Sequence, residues 1–412
     1  MDDRFESLRQ SVRQKVMGCI DYSKDTSDEE MYELVDKELS ERLRNVAISV
    51  EDRKKLRMQV FHSIRKLDIL QQLLDDPKVT EIMVNGTENI FIEKNGCLTK
   101  FEGRFESKEK LEDVVQQIVA ACNRVVNQSQ PIVDARLENG SRVNIVLEPV
   151  ALNGPIITIR RFPDKPIDMK RLIELNSISP FLRDYLNVLI KAGYNVFISG
   201  GTGSGKTTFL NALSDFIPKD LRVLTVEDSA ELQIIGVPNL VRLESRNANV
   251  EGCMPITIRD LIKSSLRMRP DWIIVGEVRG GECVDMLQAM NTGHMAMSTG
   301  HANSASDMLY RLETMSLMGM GELPLSAVRG QISAGIDIIV HLGRLRDKTR
   351  KVMEICEVEK ELDGAGRIVL NPLYRFCEVG SDADLRIKGE WRKTGELKNT
   401  QKLLAAGLEL PI

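Results

Sequence analysis

Eight consecutive residues carry the densest chemistry in the sequence: Gly200-Gly201-Thr202-Gly203-Ser204-Gly205-Lys206-Thr207. Their spacing satisfies G-x-x-x-x-G-K-[ST], the pattern of a loop that wraps nucleotide phosphates. Glycines let successive backbone N–H groups turn inward around an anion without Cβ clashes. The surroundings match this role. An apolar run, Val196-Phe197-Ile198-Ser199, leads in as a strand, and Thr208-Phe209-Leu210-Asn211-Ala212-Leu213 leads out as a helix. The start of that helix adds unpaired N–H groups and the positive end of its dipole. The expected nucleotide-binding residues are therefore Gly201, Thr202, Gly203, Ser204, Gly205, Lys206, Thr207 and Thr208. Lys206 can reach the β- and γ-phosphates, and the Thr207 hydroxyl can hold a metal ion, so ATP and Mg2+ are the expected cofactors.

In an open α/β sheet, ligands sit at the carboxyl ends of the strands. Three such ends carry polar groups: Val223–Val226 runs into Glu227-Asp228, with Glu231 following. Trp272–Val275 runs into Gly276-Glu277, and a further strand ends in Ser298-Thr299-Gly300-His301. Phosphoanhydride hydrolysis needs a positioned water, a metal and charge neutralisation, with little covalent work from the protein. Glu277 is the first candidate to orient that water and Glu227 the second. Asp228 reads equally as a helix cap, because aspartate favours caps. Gly276 stands where a Walker B aspartate would be expected, so metal binding leans on Thr207, the nucleotide and water-mediated carboxylates. His301 is a candidate γ-phosphate contact, while His294 reads equally as functional or structural.

Positioning these groups requires an α/β architecture in the second half of the chain. Short, nearly continuous apolar runs at 195–199, 222–227, 271–276 and 295–299 alternate with helical stretches, as in a parallel sheet covered on both faces. Beyond about 346 the sequence is more polar and less regular, with a hairpin expected at Asp363-Gly364 and a terminal helix at 400–406. Upstream, Pro163-Asp164-Lys165-Pro166 is the best linker candidate, since two prolines in four residues disfavour helix and ladder alike.

The expected order is a helical segment (1–60), an α+β domain (61–163), a linker (164–170) and an α/β phosphate-loop domain (171–412). In the first segment Phe5, Leu8, Val12 and Val16 form one stripe. Ser27 and Glu30 form a capping box that opens a helix through Met31, Leu34, Leu39, Leu43 and Val46. A small appendage packing on its neighbour fits this pattern better than a dedicated partner site. The α+β domain opens with a helix through Ile64, Leu67, Leu70 and Leu74. Strands follow at 81–84, 89–93 and 98–101, with turns at Asn85-Gly86 and Asn95-Gly96. An amphipathic helix carries Leu111 to Val125, and strands return at 142–147 and 156–160.

Composition narrows the class. The 412 residues are 42% hydrophobic and 28% charged, with no apolar run of membrane-spanning length. The first residues lack the apolar core of a signal peptide. Seven dispersed cysteines without a Cys-x-x-Cys pair read as reduced thiols of a cytosolic protein. A net charge of −4 and 5% aromatics offer neither the basic footprint nor the stacking platform of a nucleic-acid motor.

Four motifs stand in one order: Gly200–Thr207; Val226-Glu227-Asp228-Ser229-Ala230-Glu231; Arg269-Pro270-Asp271 through Gly276-Glu277-Val278-Arg279; and Thr292-Gly293-His294 through His301-Ala302-Asn303. This series resembles the Walker A, Asp box, atypical Walker B and His box of the type II/type IV secretion and pilus ATPase superfamily. Arg279-Gly280-Gly281-Glu282, Gln288 to His294 and His301-Ala302-Asn303-Ser304 are similar to its CpaF-type Tad/Flp branch. So are Val133-Asp134-Ala135-Arg136-Leu137, Asn139 to Asn144 and Thr158-Ile159-Arg160-Arg161-Phe162.

The resemblance covers about 61–345 strongly. It implies a homohexamer of RecA-like P-loop ATPase domains, each preceded by an N-terminal domain whose arginines help neutralise phosphate charge. Arg136 and Arg142 match those arginines by position; as residues alone they read equally as exposed hairpin side chains. Glu277 matches the Walker B glutamate and Glu227 the Asp-box glutamate, so the catalytic set is Glu277, Glu227, Lys206, His301, Arg136 and Arg142. Met295 and Ala296 depart from the acidic-Gly pair usual in the His box. The implied partners are other copies of the chain and inner-membrane pilus or secretion platform proteins, met at the cytoplasmic face of the membrane. The implied function is a motor powering Tad/Flp pilus assembly. The alternative is a type IV secretion or conjugation ATPase, and a nucleic-acid motor or nucleotide-switched scaffold follows behind.

Overall fold

The computed structural model describes residues 3–20, 24, 26–44, 48–94, 96–161, 166–246, 254–319, 323–381 and 385–411. The expected linker residues 163–165 lie outside this set, as do Phe162, Asn95, Val46 and Cys253. The chain divides into two compact units, 1–164 and 165–412.

The first unit opens with three helices, α1 (Asp3–Cys19), α2 (Asp28–Arg42) and α3 (Val50–Arg65). The apolar stripes expected of α1 and α2 meet. Val12 and Val16 pack with Met31, Val35, Leu39, Leu56, Val60 and Phe61, and Phe5 and Leu8 lie against them. The Ser27 capping box forms in full: Glu30 N donates to Ser27 Oγ at 3.2 Å and Ser27 N donates to Glu30 Oε2 at 2.8 Å. Such a box satisfies two of the orphan donors at a helix start.

The single helix expected through Ile64, Leu67, Leu70 and Leu74 is two helices. α3 stops at Arg65 and α4 (Ile69–Leu74) restarts after Asp68, whose φ of 50° is left-handed and breaks the run. α3 also runs through residue 60, where the sequence suggested a boundary.

β1 (Val79–Asn85), β2 (Asn89–Lys94) and β3 (Cys97–Phe101) precede α5 (Lys108–Ala121); β4 (Ile132–Arg136), β5 (Arg142–Val146) and β6 (Ile156–Arg160) follow it. They form one sheet in the order β3-β2-β1-β6-β5-β4, every pairing antiparallel. Leu111, Val114, Val115 and Ile118 of α5 cover Ile82, Val84, Val143, Ile145 and Ile157 of the sheet. Cys122 and Val125, expected on this helix, lie beyond its end. Among the strands, β4 was not foreseen.

In the second unit, α6 (Met169–Glu174) begins inside the expected linker, so 169–170 are helical. α7 (Pro180–Lys191), β7 (Val196–Gly200), α8 (Lys206–Ser214), β8 (Val223–Glu227), β9 (Leu240–Glu244), α9 (Ile258–Ser265), β10 (Trp272–Val275) and α10 (Glu282–Asn291) follow. Next come β11 (Met295–His301), α11 (Ala305–Gly319), α12 (Leu325–Gly335) and β12 (Ile338–Arg344). β13 (Arg350–Leu362), β14 (Ile368–Ser381), β15 (Ile387–Lys393) and α13 (Gln401–Ala406) complete it.

One nine-stranded sheet runs β15-β14-β13-β12-β7-β11-β10-β8-β9. The six strands from β12 to β9 are parallel, and β13, β14 and β15 extend the sheet antiparallel. Every residue of β7, β8 and β10 is buried. Val196, Ile198, Trp272 and Ile274 face one core, and Phe197, Val226, Ile273 and Val275 face the other. That is the covering expected of a parallel sheet. The polar region past 346, expected to be irregular, holds three ordered strands; the hairpin at Asp363-Gly364 joins β13 to β14.

Candidate functional site

The phosphate loop leaves β7 and enters α8. Gly203 and Gly205 adopt left-handed φ values of 71° and 91°, which only glycine takes without strain. A Cβ on Gly200 would lie 2.5 Å from Ser204 Oγ and 2.6 Å from the Leu342 carbonyl oxygen, so the loop folds back where a side chain has no room. Lys206 is buried and donates to the Gly201 carbonyl at 3.1 Å. The Ser204 hydroxyl is buried without a partner.

Three side chains converge beside the loop. Lys206 Nζ lies 3.2 Å from His301 Nδ1, and His301 Nε2 lies 3.0 Å from Glu277 Oε1. Arg279 Nη2 closes the row, donating to Glu277 Oε2 at 2.7 Å. An ammonium can only donate, so the imidazole nitrogen facing it carries no proton; Nε2 carries it, toward Glu277. Burial first, then the Lys206 charge, holds His301 below the ordinary imidazole pKa, which keeps the ring neutral at neutral pH. Backbone bonds on both sides pin Glu277. Thr299 Oγ1 donates to the Gly276 carbonyl at 2.8 Å, and Val278 N donates to the Thr299 carbonyl at 3.0 Å.

Glu227 ends the neighbouring strand in a different setting. It is 2% exposed, and its Oε1 accepts from Glu231 N at 2.9 Å and Leu232 N at 2.8 Å. Its Oε2 is buried with no partner. Burial pushes its carboxyl up to about 7, against the pull of those two backbone donors and Arg242. A Cβ on Gly276 would sit 3.1 Å from Glu227 Cγ. The Glu227 side chain thus packs closely against the position of the missing Walker B aspartate.

A family model described as "Type II/IV secretion system protein" matches residues 64–378 of this chain. The chain belongs to that family. Within it, the conjugal transfer protein TrbB of Rhizobium radiobacter is 33% identical over 305 residues, covering 72% of this chain and 90% of that protein. The type IV secretion system protein PtlH of Bordetella pertussis is 30% identical over 315 residues, covering 70% and 93%. Among solved structures, the pilus retraction motor PilT with bound ADP aligns at a TM-score of 0.50 with 20% identity, over 67% of this chain and 77% of that one. That likeness concerns the fold.

Not every residue expected at the site of this family member is brought to it. β11 separates the two histidines of the His box: His301 ends the strand, while His294 precedes it, about 23 Å away at ~3.3 Å per residue. His294 Nδ1 is occupied by Thr292 Oγ1 at 3.2 Å and the Ala289 carbonyl at 3.3 Å. Asp228 caps no helix; its Oδ1 accepts from Ser245 Oγ at 2.7 Å. Met295 and Ala296, the departures in the His box, are ordinary strand residues. Met295 packs on the core, and Ala296 N donates to Asn195 Oδ1 at 2.8 Å.

Arg136 and Arg142 belong to the first unit, where they face each other as strand partners across the β4–β5 turn. Arg136 Nε donates to the Gly140 carbonyl at 3.3 Å, and Arg142 lies 3.9 Å from Asp134.

Sequence reasoning missed two residues beside the loop. Arg350 Nε donates to the Gly203 carbonyl at 2.8 Å, and a Cβ on Gly203 would lie 3.7 Å from Arg344 Nη1. Both come from the β12–β13 turn, which carries no motif. Their register opposite one another was the only available signal, and it requires knowing the strands.

Proposed function

We propose that the protein is an ATP-hydrolysing motor that works as a homohexamer at the cytoplasmic face of a membrane, where it powers assembly of a Tad/Flp-type pilus. The observation that carries the hydrolytic part is the row Lys206–His301–Glu277 beside a glycine-turned phosphate loop. Lys206 and the loop N–H groups hold the β- and γ-phosphates, with Ser204, Gly205 and Thr208 shaping the cradle. Glu277 orients the attacking water and accepts its proton, a role suited to a carboxylate pinned on both sides. His301, neutral with its proton on Nε2, orients the Glu277 carboxylate and is assigned to contact the γ-phosphate.

Thr207 and, through water, the partnerless Glu227 Oε2 fit a Mg2+ ion; when bound, it would supply charge neutralisation to the phosphates. Arg136 and Arg142 are assigned to phosphate neutralisation from the N-terminal domain, a role that suits a planar, permanently charged fork. Motion of the two units would follow if hydrolysis depended on that contribution.

A second reading, a type IV secretion or conjugation ATPase, is supported by the relatives named for conjugal transfer and type IV secretion. The test is phosphate release per subunit across a protein-concentration series with Mg-ATP, for wild type and Glu277→Gln. Specific activity that climbs with concentration, with loss of about 10²-fold or more in the variant, supports an assembled hydrolytic motor. Flat, equal activity in both overturns the role of Glu277. Pull-down of a pilus platform protein, as against a conjugation or secretion component, separates the two machines.

A further inference from the structure

Three arginines lie at or within the turn between β12 and β13; Arg344 and Arg350 stand beside the phosphate loop, and the three meet different fates. Arg346 pairs with Glu378, with Nη1 at 2.7 Å from Oε2. Arg350 is spent on the Gly203 carbonyl, while its Cδ lies 3.3 Å from where a Cβ on Gly205 would be. The Arg344 side chain, exposed, makes neither a hydrogen bond nor an ion pair among the described residues. The one carboxylate within the turn cannot serve it. Asp347 Oδ1 accepts from Thr349 N and Oγ1, and its Oδ2 accepts from Ile387 N at 2.8 Å.

Arg344 and Arg350 are direct cross-strand partners. Like charges opposite each other on adjacent strands destabilise a sheet, so this pair burdens the fold unless something negative lies between or beside them. What lies beside them is the loop that the phosphate-binding pattern assigns to an anion. β12 also pairs in parallel with β7, with Leu342 opposite Gly200. That register carries Arg344, two residues on, past the strand end and alongside Gly203.

Resting on the nucleotide-binding reading above, we propose that Arg344 is a further nucleotide ligand. Its guanidinium binds the phosphates of a nucleoside di- or triphosphate from the β12–β13 side, across the loop from Lys206, within the same subunit. A guanidinium is suited to this because its fork matches phosphate oxygens and never loses its charge.

The experiment measures equilibrium binding of ADP and of inorganic pyrophosphate to the full chain, by calorimetry, for wild type, Arg344→Ala and Arg344→Lys, with thermal melting of each in the absence of ligand. The expected result has three parts. Arg344→Ala weakens both ligands by about 10-fold or more, as loss of a charged hydrogen bond should. Arg344→Lys falls between. The ligand-free melting temperature of Arg344→Ala stays level or rises, since a like-charge pair has been relieved. Unchanged affinities would overturn the proposal, and so would a loss seen with ADP but not with pyrophosphate, which would place the side chain at the base or ribose. A wild type that binds neither ligand would sink the nucleotide reading itself, and this one with it.

Discussion

The nine-stranded sheet is two structures joined at one strand pair. From β12 to β9 it is parallel, and β7, β8 and β10 are buried on both faces. From β13 to β15 it is antiparallel, and β15 alternates buried and exposed residues only loosely. The parallel half ends in Lys206, Glu227, Glu277 and His301, all leaving strands or loops on one edge. Among the described residues the antiparallel half brings a side chain to the loop at the seam, through Arg350, opposite Arg344 at the end of β12. Chemistry collects where strand ends share an edge and helices start; a hairpin extension supports that edge from the side.

Each half contains one of the chain's two tryptophans, which makes the comparison testable. Trp272 in β10 is fully buried, and Trp391 in β15 is half-buried against Phe376, its Nε1 donating to the Val352 carbonyl at 2.7 Å. Trp272→Ala is expected to cost about 3–5 kcal/mol and Trp391→Ala about 0.5–3 kcal/mol. In urea titrations the remaining tryptophan reports on its own half; equal losses would break the distinction.

Glu227 sharpens the comparison from within the parallel half. Its folded carboxyl titrates near 7 against an ordinary value of 4.5. The folded chain therefore keeps a proton that the unfolded chain releases. The stability linked to it is intact below about pH 4.5, falls as pH rises, and is fully lost above about 7. Glu227→Gln should match wild type near pH 5 and exceed it at pH 8 by ~1–3 kcal/mol, read from melting curves. A difference independent of pH would mean that the carboxyl is already ionised when folded.

The smallest effect belongs to the far end of β11. His294→Gln should leave ATP turnover within about twofold of wild type, because surface changes remote from a site rarely exceed ±0.5 kcal/mol. A tenfold loss would bring both ends of the strand into the chemistry.

Much of the parallel half was legible in the sequence because a strand buried on both faces reads as a short apolar run, and because its phosphate loop needs glycines at fixed places. The carboxylates at 227 and 277 followed from those runs, but their difference did not. Which of the two would be submerged depends on Gly276 leaving space and on the donors of Glu231 and Leu232 folding back. β9 and β4 escaped notice since their side chains are partly exposed and mixed in character. Of β13 to β15 only the hairpin at Asp363-Gly364 was legible; the length of its two strands and β15 escaped notice since a half-covered antiparallel strand reads as polar chain. The break between α3 and α4 runs from the extended Lys66 to the left-handed Asp68. The buried side chain of Asp68 lies 3.8 Å from Arg9, a partner 59 positions earlier that no local pattern reveals. Arg344 and Arg350 gain meaning only through register.

The contact between Gly276 and Glu227 also constrains how this site can change over generations. An aspartate at 276 and a glutamate at 227 compete for one volume, with only 3.1 Å between the first Cβ and the second Cγ. Gly276→Asp alone would press the Glu227 side chain back, and shortening Glu227 alone would leave the Glu231 and Leu232 N–H groups without their acceptor. Each step toward the more familiar aspartate arrangement costs packing or hydrogen bonding by itself. The two positions are therefore coupled, and the double substitution should cost less than the sum of the two single ones.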